Sequence, residues 1–184
     1  MIAALYGGSF DPPHVAHEAI AKISQESLDI DKLFITPSYL NPFKKKFHFT
    51  PKQRYELLKV LFEDEMKIEV CDFEIKQNKP TPSIKTVNYL IQKYDIEKLY
   101  LIIGADNLYT LHLWDSFDSL KQIVQFVVIT RDGYEVKDGI IPFKVISLQK
   151  DISSSKIRES FDDQHIPNKI KQKVKELWKR ELKE

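Results

Sequence analysis

Apolar residues recur along the chain with two alternating periods. Residues 2–6 form a short apolar run stopped by Gly7 and Gly8, the profile of a buried strand. Beyond Asp11-Pro12-Pro13, the residues Val15, Ala19, Ile20 and Ile23 recur at helical spacing, and proline suits a helix entrance. Residues 33–36 read as a strand ended by Pro37. Thr50-Pro51, followed by Tyr55, Leu57, Leu58, Leu61 and Phe62, predicts a helix with Thr50 as its N-cap. Residues 67–70 then read as a strand, and 84–94 as a helix with Ile84, Val87, Leu90 and Ile91 on one face. The strongest strand is 99–103, which ends at Gly104. Further on, 117–123 reads as a short helix, and 126–129 and 143–148 as strands. Residues 153–161 and 170–182 close the chain as helices, the last with Ile170, Val174, Leu177, Trp178 and Leu182 along one stripe.

Strands that alternate with helices require right-handed crossovers and a mainly parallel sheet. The expected architecture is therefore α/β: a Rossmann-like, doubly wound sheet with helices on both faces. It should form one domain over 1–184, with a C-terminal helix at about 167–182. No repeat or linker interrupts it, and 132–139 reads as a surface loop. Ligands of such sheets sit beyond the carboxyl ends of the strands. That rule selects four loops, after Tyr6, Thr36, Ile103 and Leu148.

Composition narrows the function. The chain has 184 residues, of which 42% are hydrophobic and 30% charged, enough apolar material for a core. Lysine and arginine number 28 against 27 acidic residues, a formal charge of +1. A protein that grips a polynucleotide by its phosphates carries a larger basic excess, so no nucleic-acid partner is expected. Residues 168–184 hold seven basic and three acidic residues, but their apolar stripe marks a packed helix with a solvated basic face. The single cysteine, Cys71, makes neither an internal disulfide nor a cysteine zinc cluster. No apolar run reaches the ~20 residues of a membrane span, and the N-terminus lacks a basic leader. The expectation is a cytoplasmic protein without a membrane partner.

The first selected loop reads Gly7-Gly8-Ser9-Phe10-Asp11-Pro12-Pro13-His14-Val15-Ala16-His17. Glycines let backbone amides approach an anion, and the following helix adds the positive end of its dipole. His14 and His17, three apart, share a helix face and can donate to phosphate oxygens. With no cysteine nearby they make a weak zinc pair, so no protein-held metal is expected. The loop is neither a dinucleotide fingerprint nor a Walker A loop. It resembles instead the G-G-S/T-F-D-P-x-H-x-G-H signature of the nucleotidyltransferase superfamily that transfers AMP or CMP from a nucleoside triphosphate. Ala16 stands where that signature has glycine, adding a methyl at a tight helix–nucleotide contact.

The last selected loop holds Ile152-Ser153-Ser154-Ser155-Lys156-Ile157-Arg158 at a helix start, a serine-rich anion cradle with an arginine in reach. It resembles the I-S-S-T-x-I-R motif of the same superfamily, with Ser155 keeping the hydroxyl of threonine. Between them, Ile103-Gly104-Ala105-Asp106-Asn107-Leu108, Leu111 and Trp114 resemble the I-G-x-D-x-L…L…W pattern of nicotinate-nucleotide adenylyltransferases. The stretch from Pro37 through Asn41-Pro42-Phe43-Lys44 is similar to the P…N-P-x-K loop of that family. Pro80-Thr81-Pro82-Ser83-Ile84-Lys85-Thr86 stands where the family reads S-Y-T-x-D-T, with Pro82 for tyrosine and Lys85 for aspartate.

The resemblance implies adenylyl transfer from ATP to nicotinate mononucleotide, giving nicotinate adenine dinucleotide and pyrophosphate. The acceptor's own phosphate attacks, so catalysis is positioning and charge stabilisation, with magnesium neutralising the polyphosphate. His14, His17, Lys44 and Arg158 are then the expected catalytic residues, facing the developing charge and the leaving pyrophosphate. Gly7, Gly8, Ser9, Phe10, Gly104, Asp106, Ser154 and Ser155 would position ATP, with Asp106 on ribose hydroxyls. Trp114 would stack on the pyridine ring, and the Asp115 amide with the Ser83 or Thr86 hydroxyl would bind its carboxylate. Two rival readings are the same chemistry on nicotinamide mononucleotide or phosphopantetheine, and a non-catalytic ATP-binding regulatory module. The second is expected to lose a histidine or Arg158, and all are present.

Overall fold

Six parallel strands form one sheet in the order β3-β2-β1-β4-β5-β6. They are β1 (Ile2–Gly8), β2 (Lys32–Pro37), β3 (Ile68–Val70), β4 (Lys98–Gly104), β5 (Val124–Arg131) and β6 (Phe143–Leu148). The helices are α1 (Val15–Ser27), α2 (Pro51–Leu61), α3 (Phe73–Lys76), α4 (Ser83–Tyr94), α5 (Phe117–Ile123), α6 (Ser154–Ser160) and α7 (Asn168–Glu181), with a 3₁₀ segment over Ala105–Leu113. This computed structural model describes residues 1–40, 46–131, 143–148, 154–160 and 163–181. The 132–139 loop and the Asn41–Lys44 motif of the sequence reading lie outside them.

Period-two alternation explains the layering. Ala4, Tyr6, Leu33, Ile35, Tyr100, Ile102, Val127 and Ile129 enter one buried cluster with α1, α2 and α7. Their neighbours Ala3, Leu5, Phe34, Leu99, Leu101, Ile103, Phe126 and Val128 enter a second with α4 and α5. Both faces of the sheet are thus covered, which is why the strands read as continuous apolar runs. Thr50 caps α2 as expected: its hydroxyl accepts from the Gln53 amide at 3.2 Å, and Gln53 returns the bond at 2.7 Å.

Chain order places the site. From β1 the chain steps outward to β2 and β3, then returns across β1 to β4 on its other side. The crevice at such a switch point opens between the carboxyl ends of the two central strands. Here those ends are Gly7-Gly8 and Ile103-Gly104.

Candidate active site

The Gly8–His14 turn is held in shape by its own side chains and by three other segments. Phe10 adopts a left-handed backbone (φ 49°) and its ring is buried. That ring meets Tyr6 edge-on at 5.3 Å and His17 at 4.8 Å. A Cβ on Gly8 would lie 3.0 Å from the Phe10 ring, so glycine makes room for the wedge. The Phe10 ring therefore braces His17.

His14, only 2% exposed, is the N-cap of α1. Its backbone N–H donates to His17 Nδ1 at 3.1 Å, and the two imidazoles stack at 3.6 Å. With Nδ1 an acceptor, neutral His17 carries its proton on Nε2. The paired geometry expected of the two histidines is thus on the molecule.

Asp11 is buried, and its carboxylate accepts the backbone N–H groups of His48 (2.9 Å) and Phe49 (2.8 Å). Arg54, 1% exposed on α2, donates to the carbonyls of Ser9 (2.6 Å), Tyr39 (2.8 Å) and Phe49 (3.0 Å). Burial lowers the Arg54 pKa, opposed by the charges of Asp11 and Glu74. One buried guanidinium so ties the loops after β1 and β2 together. The sequence reading missed it, although Arg54 precedes Leu57, Leu58 and Leu61 by three, four and seven residues, on their buried stripe.

The two distant motifs meet. Ser154 Oγ donates to the Pro12 carbonyl at 3.0 Å, and Arg158 donates to the Asp11 carbonyl and to Ser155 Oγ. The Val15 amide, first of α1, donates to the His165 carbonyl at 2.9 Å. Ser154 is thereby occupied as a clasp on the first loop, while Ser155 is exposed beside Arg158. Lys44 and Ser153 lie outside the described residues.

Beyond the β1 and β4 ends lies a cavity of about 500 Å3. Gly7, Gly8, Ser38, Gly104 and Asn107 line its strand-end side. Glu74, Pro80, Thr81, Pro82, Ser83, Leu113, Trp114 and Asp115 complete its wall. Of the expected acceptor residues, Ser83, Trp114 and Asp115 are gathered there. Thr86 is not at the surface of the cavity: it is fully buried, and its hydroxyl donates to Glu74 Oε1 at 2.8 Å. Gly7 has open space where a Cβ would stand, whereas at Gly104 a Cβ would come within 2.3 Å of Asp106 Oδ1. Asp106 itself is exposed at the start of the 3₁₀ segment.

The loop that carries the paired imidazoles begins at Gly7 and Gly8, which also line the Trp114 cavity, so glycine amides suited to an anion adjoin a cavity suited to a ring. The chain belongs to the cytidylyltransferase-like family, whose model matches residues 5–160. More narrowly, it is 46% identical to a probable nicotinate-nucleotide adenylyltransferase of Aliarcobacter butzleri, over 97% of this chain and 98% of that one. It is 44% identical to a protein of the same name from Campylobacter jejuni (strain 81-176), over 98% of both chains. The fold also matches the Plasmodium falciparum nicotinic acid mononucleotide adenylyltransferase complexed with NaAD, with a TM-score of 0.72 at 24% identity. That match covers 92% of this chain and 88% of the other. The motif resemblance is borne out at the level of the family, and the doubly wound parallel sheet is the observed fold.

Proposed function

We propose that the chain transfers the adenylyl group of ATP to nicotinate mononucleotide, releasing pyrophosphate. The observation that carries this reading is the meeting of Ser154–Arg158 with the Gly7–His17 loop, whose Gly7 and Gly8 also line the Trp114 cavity. The full-length likeness to nicotinate-nucleotide adenylyltransferases supports it.

In this reading the triphosphate lies over Gly7 and Gly8, with His14, His17 and Arg158 facing the charge that develops at the α-phosphorus and on leaving pyrophosphate. Groups fixed in this way before the ligands arrive would need little reorganisation in the reaction. Lys44 joins them on the strength of its motif alone. Magnesium accompanies ATP as part of the substrate. Asp11, the carboxylate in the histidine loop, spends both oxygens on backbone amides and does not fit as its ligand. Trp114 stacks on the pyridinium ring, and Ser83 with the Asp115 amide supplies donors to the ring substituent. We place this single-domain enzyme in the cytoplasm, with no nucleic-acid or membrane partner.

The test is pyrophosphate release from ATP with each candidate acceptor offered in turn. Release with nicotinate mononucleotide, and weaker release with nicotinamide mononucleotide or phosphopantetheine, is expected. Release with phosphopantetheine alone, or ATP binding with no release on any acceptor, overturns the reading.

A further inference from the structure

Glu74 belongs to the four-residue helix α3, a segment with no signal in the sequence, yet it lines the cavity and is only 8% exposed. Its Oε1 accepts from the Thr86 hydroxyl at 2.8 Å. Thr86 follows Ser83 by three residues on α4, so the carboxyl is held under the helix face that carries Ser83. Pro80, Thr81, Pro82 and Ser83 complete that part of the wall, and Trp114 and Asp115 line the same cavity. An acidic residue thus borders the space in which the proposed acceptor ring must lie.

We propose that Glu74 is a specificity-determining residue for that ring: protonated, it shares its proton with an acceptor carboxylate, and ionised, it favours an acceptor carboxamide. This rests on the reading of the cavity as the acceptor site. Two carboxylates side by side in a poorly solvated pocket do not both stay ionised; one proton between them serves both. A carboxamide carries N–H donors and binds an ionised Glu74 without needing that proton.

The surroundings leave this proton in play. Burial pushes Glu74 up to about 7, against the opposing pulls of the Thr86 hydroxyl and the Arg54 charge. A carboxyl raised in this way is neutral below about pH 7 and ionises as pH rises through it. The groups facing it are few. Arg54 acts from α2 and the neutral Thr86 hydroxyl from α4, whose Lys85 is exposed. On α3 itself Lys76 pairs with the N-cap Asp72 at 3.0 Å. Strand β2, against which α3 packs, has its Lys32 on Glu69 at 2.9 Å. Asp115 is the other carboxylate in the cavity lining.

The experiment compares the affinities of nicotinate and nicotinamide mononucleotides by calorimetry between pH 6 and 9. Their shared phosphate and ribose cancel in the ratio, so its pH dependence reports the ring substituent. The nicotinate-over-nicotinamide ratio is expected to fall about tenfold per pH unit above the Glu74 transition, with one extra proton taken up on binding nicotinate mononucleotide. In Glu74→Gln the ratio should be flat and the extra proton absent. Thr86→Val, which removes a donor to the ionised carboxyl, should move the fall to higher pH and keeps the test alive if the glutamine variant does not fold. A flat ratio in the parent protein overturns the proposal while leaving adenylyl transfer standing. So does a Glu74→Gln ratio that falls as the parent's does. If neither mononucleotide binds, the acceptor reading fails and the role of Glu74 with it.

Discussion

The two ends of the proposed site, one for phosphate and one for the acceptor, are built differently. At the phosphate end, backbone is fixed to backbone: Arg54 holds three carbonyls, Asp11 holds two amides, and Arg158 and Ser154 clasp the Asp11-Pro12 carbonyls. At the acceptor end, side chains line a cavity and the main cross-link is one Thr86–Glu74 bond. The difference follows from what each end must do. Stabilising charge at a fixed phosphorus needs donors that do not move, whereas choosing among acceptor rings needs a wall whose chemistry can vary.

Substitutions should separate the two ends. Arg54→Met leaves the carbonyls of Ser9, Tyr39 and Phe49 without their donor, and a stability loss of about 3–5 kcal/mol is expected in denaturant unfolding. An unchanged midpoint would show that the loops hold without it. His14→Ala and His17→Ala should each lower kcat roughly a hundred- to a thousandfold, with the circular dichroism of the parent and with magnesium as the sole added metal. Activity of chelator-treated protein that depends on one zinc per chain would contradict this assignment.

Arg158→Lys keeps the charge but loses the planar fork that reaches both the Asp11 carbonyl and Ser155 Oγ. A loss of about ten- to a hundredfold in kcat/KM is expected, shared by every acceptor. A loss confined to one acceptor would place Arg158 in the wrong half of the site. Trp114→Ala should act at the other end. It is expected to raise the KM of both mononucleotides about two- to thirtyfold while leaving the KM of ATP unchanged, since stacking adds about 0.5–2 kcal/mol without reading the ring substituent. Equal acceptor affinities in variant and parent would remove the stacking role.

The same contrast governs what could be read from the sequence. Strands 2–8 and 98–104 announce themselves because both faces are buried and glycine ends each run. The phosphate loops were legible because glycine, proline, histidine and serine sit where backbone geometry and anion chemistry demand them. Helix α3 was not, since four residues carry no period, and neither was the 3₁₀ segment, whose packed positions Ala105, Leu108 and Leu111 recur every three residues rather than at the α-helical spacing. The packing of the Phe10 ring on Tyr6 and His17 was not legible, because an apolar ring in a glycine loop gives no sign of what lies beneath it. Thr86 was placed in the cavity from its motif alone, but helical phase turns it inward to Glu74. Arg54 and Glu74 were overlooked for one reason. A charged residue on a buried position reads as surface until its partners, distant in sequence, are known.

The central claim is a single in-line displacement by the acceptor's phosphate, held by fixed donors and with no protein nucleophile. Its most direct test is the stereochemistry at the α-phosphorus, using ATP made chiral there and nicotinate mononucleotide as acceptor. The account requires nicotinate adenine dinucleotide of inverted configuration, formed one-to-one with pyrophosphate. Retention of configuration would reveal an adenylylated protein intermediate and contradict it.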